Sequence, residues 1–185
     1  MSASTTSEFQ TSSGSAFPLG ATALDDNTIN FAVASQYGTT VTLCLFTDLE
    51  KPWQETHRIP LTASTRDVNH IAVSGIPAGS TYGYRVDGTW DPEAGYYFNV
   101  NKLLIDPYAK CFDGPSRYVP SMRGAARNGE LSASDSGMHA PRAVVPGIDH
   151  YDWEGDAPLD TPMAETVISE TVSYTHLRAH ETDLN

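Results

Sequence analysis

Two carboxylate side chains, Asp152 and Glu154, flank Trp153 near the C-terminal end of the chain. A pair of carboxylates can supply a general acid and a general base. However, two loop residues separated by one position in sequence need not have their carboxyl groups at the distance that such catalysis requires. We therefore interpret them as interface or helix-capping residues.

His176 and His180 have the spacing that can place two imidazoles on one helix face for a metal ion. The sequence offers them no third ligand, so we expect no metal site. We also expect no catalytic residue in this chain and no cofactor.

Four aromatic side chains fall in predicted turns and loops, namely Trp53, Trp90, Tyr96 and Tyr97. The apolar C–H faces of sugar rings stack well on aromatic rings, so these residues are candidates for binding a carbohydrate. The alternative, that they cover the core or pack against a neighbouring domain, stays open for all four.

The charge of the chain excludes two classes of partner. Its formal net charge is −12, with only 11 lysines and arginines in 185 residues. Nucleic acids and anionic membrane surfaces both require concentrated positive charge on the protein, so neither is an expected partner. A neutral glucan is compatible with this composition.

Cysteine usage and the N-terminal segment indicate the compartment. Cys44 and Cys111 are too few for a disulfide framework, and residues 1–16 have neither the basic nor the apolar region of a secretory signal. We therefore expect a cytoplasmic protein, with a plastid as the alternative. Cys44 lies within an apolar run and is predicted to be a small core residue.

The elements that position these residues are predicted to be short β-strands. Candidate strands lie at 29–33, 41–46, 57–61, 68–73 and 82–86, separated by turns rich in Gly, Pro and Asp. Short strands at regular intervals, with little sign of helix, indicate an all-β, immunoglobulin-like antiparallel β-sandwich. Pro60 predicts an edge strand or the end of a strand, and Gly83 between Tyr82 and Tyr84 predicts the close approach of a backbone segment or an aromatic ring.

Composition divides the chain into five parts. Residues 1–15 are rich in Ser and Thr and predict a disordered leader, whereas residues 16–112 contain the strands of the sandwich. Residues 113–164 lack sustained periodicity and predict a long irregular linker. Residues 165–171 begin a further buried strand, and residues 172–185 form a separate tail.

Several segments, in this order, resemble the family 48 carbohydrate-binding modules that precede the catalytic barrel in debranching and branching enzymes of glycoside hydrolase family 13. They are FPLGA at 17–21, YGYRVDG at 82–88 and NKLLIDPYAK at 101–110. DHYDWEGD at 149–156 resembles the approach to the first strand of that barrel. The resemblance implies that residues 165–171 are the first strand of an absent (β/α)8 barrel. It also implies that Tyr82, Tyr84 and Trp153 pack the module against that barrel.

The resemblance implies a parent enzyme that hydrolyses α-1,6 branch linkages in glycogen or limit dextrin by the retaining, two-carboxylate scheme. The residues of that scheme stand at the ends of barrel strands that this chain does not contain, so we expect the chain itself to be inactive. Its expected partners are an α-glucan and the missing barrel. A stand-alone glucan-binding module and the module of a glycogen branching enzyme are the alternatives.

The last residues, VSYTHLRAHETDLN at 172–185, do not resemble the continuation that the family would have. They resemble a translated transposon-type sequencing adapter, and we interpret them as a non-native tail that begins after Thr171. A genuine polar C-terminal helix is the alternative.

Overall fold

The computed structural model describes residues 9–114, 118–148 and 154–167. These ranges contain twelve β-strands, two 3₁₀ turns and no α-helix. The strands are β1 (Gln10–Ser12), β2 (Gly20–Ala23), β3 (Thr28–Ala34), β4 (Gly38–Phe46), β5 (His57–Pro60), β6 (Ala63–Thr65), β7 (Val68–Ser74), β8 (Thr81–Gly88), β9 (Trp90–Asp91), β10 (Tyr96–Tyr97), β11 (Phe112–Asp113) and β12 (Arg142–Val144). The 3₁₀ turns are Pro120–Met122 and Met163–Glu165.

The strands form two sheets and a small hairpin. In the first sheet the order is β2–β3–β7, and β1 and β6 pair with successive stretches of β7 along its other edge. In the second sheet the order is β11–β12–β8–β4–β5, and β9 pairs with β10 alone. Every strand pair in the described residues is antiparallel. The predicted all-β antiparallel sandwich is confirmed.

The core lies between the two sheets. Side chains on a strand alternate between its faces, so Phe31 and Val73 of the first sheet meet Leu43 and Tyr82 of the second in one buried cluster. The Phe31 and Tyr82 rings pack edge to face with their centroids 5.0 Å apart. Full burial of each such side chain stabilises the fold by roughly 1.5–3 kcal/mol.

Strand β4 carries an unbroken apolar run because both of its faces are covered at one end. Leu43 and Leu45 face the core, whereas Cys44 and Phe46 face outward into a second cluster completed by Leu103 and Ala140. Cys44 is fully buried, as predicted, and burial raises the pKa of its thiol to about 12. It therefore stays protonated near neutral pH and acts as a packing residue.

Two local predictions about strands are confirmed. Strand β5, which ends at Pro60, pairs only with β4 and lies at the edge of the second sheet. Next to Gly83, the Tyr84 amide donates to the Leu104 carbonyl at 2.9 Å and the Leu104 amide donates to the Tyr84 carbonyl at 2.7 Å. A β-carbon at position 83 would lie 2.9 Å from the Leu104 carbonyl oxygen, so this approach requires glycine.

Replacement of Gly83 by alanine is expected to lower the free energy of unfolding by about 1–2 kcal/mol, because the added methyl overlaps a hydrogen-bonded backbone carbonyl that cannot move aside. Chemical denaturation measures the change. The matched control is Gly147→Ala, where no atom lies within 4 Å of the new β-carbon and the change should stay within about 0.5 kcal/mol. Equal effects at both positions would contradict the steric explanation.

Residues 9–15 differ from the disordered leader that composition predicts for residues 1–15. Gln10–Ser12 forms β1 on the edge of β7, and the buried Asn30 side chain holds Ser15 from both sides. The Ser15 amide donates to Asn30 Oδ1 at 2.7 Å, and Asn30 Nδ2 donates to the Ser15 carbonyl at 2.9 Å. A polar segment is thus ordered by hydrogen bonds to a residue fifteen positions away, which composition alone does not reveal.

The region predicted as a linker divides into two parts. The described residues up to 148 belong to one compact unit and residues 154–167 to another. Arg142–Val144 pairs with β8 as a strand of the second sheet. In the second unit, Met163–Glu165 forms a 3₁₀ turn, and most of the strand predicted at 165–171 lies outside the described residues. Among the described residues, no helix has the length and apolar character needed to span a bilayer.

Candidate functional site

The β9–β10 hairpin carries three of the four aromatic residues predicted to bind carbohydrate. Tyr97 pairs with Trp90 across the hairpin, and their rings pack edge to face at 5.8 Å. Tyr96 packs edge to face on Tyr37, which precedes β4, at 5.5 Å. The hairpin can lie close to the sheet because Gly88 has no side chain, since a β-carbon there would come within 2.6 Å of the Phe98 ring.

These rings border a depression that we call the aromatic groove, with a volume of about 640 Å³. Its lining includes Tyr37, Tyr96, Tyr97, Lys102 and Met122. The Tyr37 and Tyr97 rings are 58% and 63% exposed, so their surfaces are available to a ligand. Trp90 is outside the lining and supports Tyr97 from behind.

Trp53 lies elsewhere, in a second depression that we call the charged groove, of about 450 Å³. Its lining is formed by Trp53, Gln54, Glu55, Arg58, Arg85, Asp135, Gly137, Met138 and His139. Trp53 is 47% exposed. The four predicted aromatic residues therefore do not form one platform, because Tyr96 and Tyr97 line one groove, Trp53 lines the other and Trp90 lines neither.

A buried guanidinium organises the charged groove. Arg85, 2% exposed, donates from Nε and one terminal nitrogen to Glu55 Oε2 at 3.0 and 2.8 Å and to Asp135 Oδ1 at 2.8 Å. Its remaining terminal nitrogen donates to the Val100 carbonyl at 3.1 Å. Arg58 binds the other oxygen of Glu55. All of these charges are mutually compensated.

The pKa values in this cluster favour its charged state. Burial raises the pKa of Asp135, but hydrogen bonds from Arg85 and from the Gly137 amide outweigh burial and hold that pKa below its ordinary value of 3.8. A general acid in a hydrolase needs the opposite shift, towards neutral pH. The cluster can therefore bind or stabilise, but it is unsuited to protonating a leaving group.

Tyr82 and Tyr84 occupy the core, each 1% exposed. Their predicted packing against a following barrel differs from the structure, which surrounds both rings with the sandwich's own residues because the alternation of β8 turns them inward. The Tyr82 hydroxyl donates to Asp106 Oδ2 at 2.6 Å, and the Tyr108 amide donates to Asp106 Oδ1 at 2.8 Å. Burial, then the bond to Asp106, raises the pKa of Tyr82.

Several other sequence predictions fall outside the described residues, namely those at Asp152, Trp153, His176 and His180. Glu154 is described and exposed. In the described part of the chain, no group of three or more His, Cys, Asp or Glu side chains is arranged to hold a metal ion.

Sequence reasoning missed the residues that hold residues 118–140 in place. Asn99 Nδ2 donates to the carbonyls of Gly124 and Ser132 at 3.0 and 2.9 Å. The buried Lys102 ammonium donates to the carbonyls of Ser121 and Ser134 and to the Ser132 hydroxyl. The available signals were Asn99, two positions before NKLLIDPYAK, and Lys102, its second residue. Their partners lie 19–33 positions away and carry no pattern of their own.

Comparison with known families agrees with this architecture. Residues 18–109 match the model of carbohydrate-binding module 48, described as the isoamylase N-terminal domain. Residues 18–109 of this chain belong to that family. The resemblance drawn from the YGYRVDG and NKLLIDPYAK segments is confirmed, and β2 to β10 all fall within the family's span.

The module and its continuation are similar to bacterial proteins. The chain is 41% identical over 158 residues to the glycogen debranching enzymes of Serratia proteamaculans and of Yersinia enterocolitica. The match takes in 85% of this chain and 22% and 23% of those proteins, so the chain spans between a fifth and a quarter of the relatives' length.

A solved structure also aligns with the chain. The catalytic module of SpuA, a multi-modular glycogen-degrading pneumococcal virulence factor, superposes with a TM-score of 0.47 and 17% identity, covering 70% of this chain and 16% of its own. A similarity of this size carries no argument about the chain's function.

Proposed function

We propose that this chain is the N-terminal module of a debranching enzyme, a glycoside hydrolase that cleaves α-1,6-glucosidic branch linkages in glycogen-type glucans. The observation that carries the proposal is the 41% identity to glycogen debranching enzymes over 158 residues, a stretch that exceeds the 18–109 span of the module. Similarity beyond the module supports a parent enzyme more than a free binding module. The names of both relatives favour debranching over branching.

The three acidic residues of the charged groove and the core do not form a carboxylate pair suited to this chemistry. A retaining glycosidase needs a nucleophile and an acid about 5–5.5 Å apart across an open cleft. Glu55 and Asp135 are both bound to Arg85, and Asp106 is fully buried beneath Tyr82. We therefore assign the catalytic groups of the parent enzyme to residues outside the described part of this chain, and the module contributes binding or support.

The proposed partner is an α-glucan, such as glycogen or limit dextrin. Trp53, Tyr96 and Tyr97 are the proposed contacts, since aromatic rings that line a groove beside hydrogen-bonding side chains suit the alternating apolar and hydroxyl surfaces of glucose units. Trp90 is proposed to act through Tyr97. The aromatic groove is also the observation that keeps a stand-alone glucan-binding module as the second candidate.

The proposed compartment is the cytoplasm. Cys44 and Cys111 are both free thiols, which suits a reducing environment.

Assays on glycogen test the proposal. The 185-residue chain is expected to release no reducing sugar, whereas the product of the complete gene should release linear chains from branch points. Chain-length analysis and reducing-end measurement distinguish the outcomes. Hydrolysis by the chain alone would overturn the assignment of catalysis to residues outside it, and transfer of chains without new reducing ends would indicate a branching enzyme.

A further inference from the structure

Residues 118–140, which we call the return segment, extend beyond the family's span of 18–109. They are tied to residues 99–103 by several bonds. Besides the contacts of Asn99 and Lys102, the Leu103 amide donates to the Ser136 hydroxyl at 2.8 Å and the Ser136 amide donates to the Asn101 carbonyl at 3.0 Å. Ala140 completes the outer apolar cluster with Phe46. The return segment is therefore fixed at both a polar and an apolar anchor.

The return segment forms part of the aromatic groove. Met122 and Gly124 line this groove together with Tyr96 and Tyr97. Gly124 also approaches Trp90, since a β-carbon there would lie 3.6 Å from the indole ring. One border of the groove is thus the hairpin of the family module, and another is supplied by residues outside the family's span.

Lys102 connects the two borders. Its side chain lines the groove, although the residue is only 6% exposed. Its ammonium group donates to Ser121, Ser132 and Ser134, which uses all three of its N–H donors. The contact with Ser121 fixes the residue directly before Met122, so the position of that border depends on this one ammonium.

We propose that the aromatic groove is an α-glucan subsite shared between the module and the return segment, and that Lys102 is its positioning residue. The choice of an α-glucan rests on the proposed function. The ligand is a run of glucose units that stack on Tyr97 and Tyr37 and contact Met122 on the opposite border. Lys102 does not touch the sugar through a free donor, and its effect on affinity passes through residues 121–124.

Binding of maltoheptaose to the 185-residue chain, measured by isothermal titration calorimetry, tests the proposal. Tyr97→Ala is expected to raise Kd roughly tenfold through loss of a stacked ring. Lys102→Met is expected to raise Kd about fivefold or more, although the sugar-facing rings are retained. Lys110→Met, which changes an exposed lysine of the same motif, should leave Kd within about twofold.

Hydrogen exchange separates positioning from general loss of stability. In Lys102→Met, amides of residues 118–136 should lose protection while those of β4 and β8 keep it, under conditions where circular dichroism shows the variant to be folded. Loss of protection at 118–136 with an unchanged Kd would overturn the role of Lys102.

Two further outcomes would overturn the subsite. In one, Trp53→Ala abolishes binding while Tyr97→Ala does not, which would move the glucan to the charged groove. In the other, the wild-type chain shows no binding of maltoheptaose or glycogen, which would remove the subsite while leaving the parent enzyme's hydrolysis to be decided by its own assay.

Discussion

Replacement of Arg85 by alanine is expected to lower the free energy of unfolding by about 3 kcal/mol, one of the two largest effects predicted for this protein. The guanidinium is buried and binds two carboxylates and a carbonyl. Removing one partner of a buried ion pair leaves the remaining charge without compensation in a poorly solvated place, which typically costs about 3–5 kcal/mol. The lower end applies because the Asp135 side chain is 56% exposed and regains water. Urea unfolding followed by tryptophan fluorescence measures the change.

Arg58→Ala is the matched control, because Arg58 binds the same Glu55 carboxylate from the solvent side with 54% of its side chain exposed. Exposed pairs contribute about 0–1 kcal/mol, so this variant should lose less than about 1 kcal/mol. If both alanine variants lose the same free energy of unfolding, burial of Arg85 does not explain the stability that the cluster contributes.

Replacement of Asp106 by alanine is expected to cost a similar amount, about 3 kcal/mol. Asp106 is fully buried in the turn after the short strand-like segment at 103–105, and it accepts from the Tyr82 hydroxyl and the Tyr108 amide. Hydrogen bonds to a charged group contribute roughly 1.5–3 kcal/mol, and a donor left buried without a partner adds its own desolvation cost. Thermal and urea denaturation should agree on the loss.

Tyr82→Phe provides the control for this prediction. It removes one hydroxyl and keeps the ring in the core, so it should cost about 1–2 kcal/mol. The double variant should lose less stability than the sum of the losses in the two single variants, since each single variant already removes the Tyr82–Asp106 hydrogen bond. Strict additivity would show that the 2.6 Å contact contributes no coupling.

The parts of the fold that sequence predicts are those governed by short-range patterns. Strand periodicity locates β3, β4, β7 and β8, and the flanking turns bound them. Gly83 is predictable as a close-approach site because its neighbours Tyr82 and Tyr84 share one face, whatever segment comes to lie beside it. The family resemblance rests on these same segments, which explains why it is confirmed.

The parts that sequence does not predict depend on partners far apart in the chain. Asp135 reaches Arg85 across 50 positions, and nothing near either residue indicates the other. The return segment is held by side-chain hydrogen bonds and not by a helix or a long strand. Its sequence therefore shows no periodic pattern and resembles that of a linker. Trp53 lies in a different groove from Tyr96 and Tyr97 because the segments that carry them leave the second sheet in different directions. The types of these residues do not indicate those directions.

The outer cluster of Cys44, Phe46, Leu103 and Ala140 sets the smallest length at which this module can fold alone. A polypeptide ending at residue 109, where the family match ends, retains three of those residues but lacks Ala140 and the β12 strand that covers the edge of β8. Such a piece would present a bare apolar face and an open strand edge to solvent, both of which promote self-association. The transferable unit for grafting this module onto another enzyme therefore extends at least through β12, which ends at Val144, well past the family boundary.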